Sequence, residues 1–188
     1  MEYEAGDVKL RFHAAPPLIE EFGLQPMLDE VVRLFGLAKG PYVRPGVYDI
    51  ILLLEIRGKS GPLVGCAYLP DDQSWERARR RWPAEMRELV PGAFIAVTVS
   101  QFLEDSQLGQ IGHSQLGYDG MLVDLSDTLH HELIHLNTGV LHEEGRDDVC
   151  LRDSERFLKE VVERHPLDTR VVRRLLDAAA IRRRTGLG

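Results

Sequence analysis

The string His131-Glu132-Leu133-Ile134-His135 constrains this chain more than any other stretch, because it specifies a helix and a chemistry together. Residues four apart lie one turn apart on one face of an α-helix. Two imidazoles so placed can aim their nitrogens at one metal ion, and zinc takes such nitrogens at ~2.0–2.1 Å while the glutamate between them reaches a neighbouring water. A site that only grips a metal has no use for a base there. His131 and His135 are therefore the expected zinc ligands, and Glu132 the expected general base.

The pattern around the motif predicts an α+β chain. Residues 1–17 end in Pro16-Pro17 and read as an N-terminal arm. Apolar positions from Met27 to Phe35 recur at helical spacing up to Gly36. Two apolar runs, Tyr48 to Ile56 and Leu63 to Leu69, flank a Gly-rich turn and predict a β-hairpin. A charged helix holding Trp75 and Trp82 follows from Asp71 or Asp72, with a restart after Pro83 toward Val90. Residues 93–99 read as a strand, 107–120 as a glycine-rich loop and 121–125 as a further short strand. Ser126 or Asp127 is placed to cap the motif helix, with Leu129, Leu133, Leu136 and Val140 as its core stripe. Two more helices are predicted, Leu151 to Arg164 and Leu167 to Arg183.

At 188 residues the chain fits one domain, with 44% hydrophobic and 28% charged residues and no apolar run that would span a bilayer. The first eleven residues carry acids and lack an apolar targeting segment, so a cytoplasmic site is expected. Cys66 and Cys150 form no CxxC pair and read as buried thiols, with Cys150 a lesser candidate for a thiolate ligand. The net charge of −7 argues against nucleic acid as a partner. The arginines at 77, 79, 80, 81 and 182–184 read as solvated helix faces.

From Ser126 to roughly Phe157 the chain resembles the zincin clan of zinc metallopeptidases. The resemblance implies a small mixed sheet against the HExxH helix, a Zn2+ cofactor, a protein or peptide substrate, and hydrolysis with Glu132 as base. It also implies substrate held as an added strand along a sheet edge, for which residues 93–99 or 121–125 are the candidates. In the gluzincin branch the third ligand is a glutamate on the following helix, about twenty residues past the second histidine, and Glu155 stands there. His142 is its rival: on an unbroken helix it lies ~10 Å beyond His135. A break at Asn137-Thr138-Gly139 would bring it back, as in the metzincin pattern HExxHxxGxxH, although Gly139 and His142 each fall one residue late. Asp153, Glu143, Glu144 and Glu160 are lesser candidates. The SprT-like proteases offer a further resemblance, with Asp153 where their third histidine would stand before Phe157. Tyr118, His113 and His165 are candidate donors to a developing oxyanion, and His130 reads as a donor behind the ligands or a surface residue. A zinc-binding module that does not hydrolyse is the alternative function.

Overall fold

The computed structural model describes residues 1–14, 23–54, 56–58, 61–68, 77, 80, 92–103, 107–139 and 149–185. Apart from Arg77 and Arg80, the charged helix expected between Asp71 and Val90 lies outside them, as do Pro16-Pro17 and His142. The protein is α+β, with a five-stranded mixed sheet in the spatial order β1 (Glu2–Ala5), β2 (Val8–His13), β3 (Gly46–Leu53), β7 (Phe94–Thr98) and β6 (Gly65–Tyr68), the numbers following the chain. The start of the expected arm is instead part of this sheet. Val8, Leu10 and Phe12 alternate with more open residues, and β2 (Val8–His13) pairs antiparallel with β1 (Glu2–Ala5). The terminal amine of Met1 donates to the Phe12 carbonyl at 2.9 Å and pins the end.

Helix α1 (Leu24–Ala38) connects β2 to β3 (Gly46–Leu53), which lies parallel to it. The expected hairpin is only partly present. A small ribbon forms from β4 (Ile56–Gly58) and β5 (Gly61–Leu63). The next strand, β6 (Gly65–Tyr68), pairs with β7 (Phe94–Thr98) and not with β3. Strand β7 is inserted between them, parallel to β3 and antiparallel to β6. A Gly-rich turn joins strands locally, but burial of both faces of β7 decides which strand is central; all five of its residues are buried.

A 3-10 turn at Ser100–Phe102 leads to α2 (Gln107–Gln115) and then to α3 (Gly117–Thr138), α4 (Val149–Arg164) and α5 (Thr169–Thr185). The loop expected over 107–120 is thus helix. Of its four glycines only Gly117 takes a positive φ, at 63°, while Gly112 makes room for Met121 and Gly120 for Val171. The strand expected at 121–125 is also helix, buried on every side through Met121, Leu122, Val123 and Leu125. A short apolar run has no periodicity to separate those two states. Ser126 and Asp127 consequently sit inside α3 rather than capping it. The Ser126 hydroxyl is shared between the Leu122 carbonyl and, across the helix pair, the Val31 carbonyl of α1.

Leu10, Phe12, Ile50, Leu52, Ile95 and Val97 of the sheet meet Leu28, Val31 and Phe35 of α1 and Leu122, Leu129 and Leu133 of α3 in one core. Each such side chain contributes about 1.5–3 kcal/mol on burial. On the other sheet face Ile51, Phe94, Ala96 and Ile56 form a smaller cluster. Among the described residues no helix is long and apolar enough to cross a membrane.

Polar contacts join α3 to α4. His130 is fully buried and stacks on Phe157 at 4.5 Å, with Nε2 3.2 Å from the Asp153 carboxylate. Arg156 donates through Nε to the same carboxylate at 2.6 Å. One turn along, Ser154 donates to Asp127 at 2.5 Å. Burial alone would raise the Asp153 pKa, but hydrogen bonds from His130 and Arg156 outweigh it and hold it at about 2. Strand β6 meets the opposite side of α3 at Gly65, where an added Cβ would lie 2.5 Å from Thr128 Cγ2 and 3.1 Å from Glu132 Cγ.

Two outcomes are expected. Because the folded pKa of Asp153 is depressed, its stabilisation of about 2 kcal/mol is complete above the unfolded value near 4 and disappears as pH falls toward 2. Urea midpoints across that window should fall less steeply for Asp153→Asn than for the wild type. Gly65→Ala should cost about 1–3 kcal/mol by the same measurement, since Thr128 and Glu132 must move aside.

Candidate metal centre and active site

Helix α3 carries the whole HExxH string without interruption, and its last turns project His131 and His135 to the same side. Their Nε2 atoms lie 3.2 Å apart, with ring centroids separated by 4.8 Å and planes at 78°. Two nitrogens bound to one tetrahedral zinc at ~2.0–2.1 Å sit roughly 3.3 Å apart, so the pair fits a shared ion. Both rings are buried, at 8% exposure, which holds them in place before any ion arrives.

Glu132, one residue round the helix, faces β6. It accepts a hydrogen bond from the Ala67 backbone, and burial pushes its pKa up to about 8 against that bond. A carboxylate so deeply desolvated holds its proton more tightly than an exposed one. Among the described residues β6 is the outermost strand of the sheet, and its Gly65 lies against this carboxylate. The edge expected at 93–99 is not free, since β7 is paired on both sides, and 121–125 is helix.

Helix α3 ends at Thr138, where Gly139 adopts φ 68° and donates its N–H to the His135 carbonyl. This is the break on which a role for His142 depends, and residues 140–148 lie outside the described part. The chain re-enters at α4. There Cys150 Sγ lies 3.5 Å from His135 Nδ1, and Ser154 holds Asp127, one turn before His131. Glu155 follows directly, half-buried, with its carboxylate on Lys159 Nζ at 2.6 Å. Among the described residues no group of three or more His, Cys, Asp or Glu side chains is assembled around one point.

Of the lesser candidates, Glu143 and Glu144 lie outside the described residues, and Asp153 and Glu160 are engaged elsewhere. Asp153 is taken up by His130 and Arg156, and Glu160 accepts from Arg156 Nη1 at 2.7 Å. His130 is neither on the surface nor behind the ligands but in the core between Phe35 and Phe157, with the Gly40 backbone nitrogen 3.2 Å from its Nε2. Tyr118 stands thirteen residues before His131 on the same helix, ~20 Å along its axis, and packs edge-on against Phe102. His165 contacts Arg33 at the far end of α4, and His113 lies on α2. None of the three is brought to Glu132. The contributions of Gly65, Ala67 and Cys150 have no local signature in the sequence, because each arises from contact between distant elements.

Compared with known proteins, the chain matches no family model, no curated protein and no solved structure.

Proposed function

We propose that this protein is a zinc-dependent metallopeptidase of zincin-like architecture, acting on a protein or peptide chain. The observation that carries the reading is the 3.2 Å convergence of the His131 and His135 Nε2 atoms next to a buried carboxylate, Glu132. His131 and His135 would hold the ion. Glu155 would be the third ligand, by turning from Lys159, with His142 the alternative beyond the α3 terminus. When bound, zinc supplies Lewis acidity, making a water more acidic and drawing electrons from a carbonyl.

The remaining roles belong to the chain. Glu132 takes the proton from the attacking water and delivers it to the leaving amine. Its burial under β6 keeps bulk water away, which strengthens each electrostatic contact made there. Strand β6, at the end of the sheet beside Glu132, is where a substrate would be held as an added strand, backbone pairing aligning a peptide bond with Glu132 while selecting little for side chains.

Purified protein should bind about one zinc per chain, and His131→Ala should abolish that binding in metal analysis. Glu132→Gln should keep the metal and lose at least about 100-fold in peptide hydrolysis. Wild type without zinc, even after metal is added, would end the proposal. A metal-loaded chain inert toward folded and denatured protein panels would favour the non-hydrolytic module. For the third ligand, Glu155→Ala should weaken zinc binding more than His142→Ala; the reverse order would assign it to His142.

A further inference from the structure

The imidazole of His135 has two nitrogens, and only one faces the metal position. Its Nε2 converges with that of His131, while Nδ1 points to the other side of the ring, toward the N-terminal turn of α4. Cys150 Sγ lies there at 3.5 Å, and Cys150 is fully buried. A neutral imidazole carries one proton, so a ring that presents its Nε2 lone pair to an ion must carry that proton on Nδ1. A buried N–H requires an acceptor, and sulfur at 3.5 Å is within reach as a weak one. Nδ1 and Nε2 are on opposite sides of the ring, which puts the sulfur behind His135 and away from the point where the two Nε2 atoms meet.

We infer that Cys150 is a positioning residue for the metal centre: its sulfur accepts the Nδ1–H of His135, fixes that tautomer, and holds the ring with Nε2 turned toward His131. The inference rests on the zinc reading above. It concerns ring orientation, and it replaces the idea of Cys150 as a direct ligand. The position also links metal binding to the packing of α4 on α3, since one residue at the start of α4 touches the ring. Such outer contacts set ligand affinity by orientation and basicity.

The test uses the full chain with zinc and cobalt ions as probes. Zinc affinity is measured by chelator competition for wild type, His131→Ala, Cys150→Ala and Cys150→Ser, with circular dichroism and melting temperature as folding controls. Cys150→Ala should bind zinc about 10- to 100-fold more weakly than wild type. Cys150→Ser, which restores an acceptor, should recover most of that loss. Nitrogen-15 NMR of zinc-loaded wild type should place the His135 proton on Nδ1, a readout that needs no variant to fold. Affinity unchanged in Cys150→Ala, no recovery in Cys150→Ser, or a proton on Nε2 would each overturn the inference. Sulfur-to-cobalt charge-transfer absorption in the wild type would overturn it by making Cys150 a ligand. If wild type and His131→Ala alike take up no zinc, the peptidase reading falls as well. If only His131→Ala loses zinc while Cys150→Ala retains it fully, the inference falls alone.

Discussion

Helix α3 is buried through most of its 22 residues, and each polar group it removes from water has to be met by a neighbour. Ser126 reaches the α1 backbone, Asp127 takes the Ser154 hydroxyl, His130 sits on Asp153, and Glu132 receives the Ala67 backbone. These four contacts point to α1, to α4 twice, and to β6. The surrounding elements are thus arranged around the needs of one helix, and its other two buried polar side chains, His131 and His135, face each other.

That arrangement explains which parts of the protein were legible in the sequence. The motif itself was legible because both histidines and the glutamate belong to one helix, and helical spacing is a local property. The helix ends were less so. Ser126-Asp127 before an apolar run carries the chemistry of an N-cap, yet in the folded chain those side chains bond across helix pairs. Met121 to Leu125 lacks the alternation that would mark either a half-exposed strand or an amphipathic helix, because every residue of the segment except Asp124 is buried. Gly112 and Gly120 looked like turn residues and instead admit close packing.

The sheet shows the same division between local and distant causes. Alternation in Val8 to His13 marks a strand, but the pair of prolines after it suggested an arm, and only pairing with β3 gives those residues a place. The two apolar runs around residue 60 are adjacent in sequence and separated in space by β7. The proximity of β6 to Glu132 follows from that insertion. No property of residues 61–68 alone could announce it, and the same holds for the approach of Cys150 to His135.

Gly139 stops α3 one turn beyond His135, and its consequence is electrical. Aligned peptide dipoles leave a partial negative charge at the carboxyl end of a helix, worth about 0.3–1 kcal/mol to a nearby cation and more when partly buried. His135 lies in the last turn, so its ring stands near the negative pole of the longest helix described. Attraction of positive charge to this end of the helix is therefore a property of backbone direction, independent of any side chain.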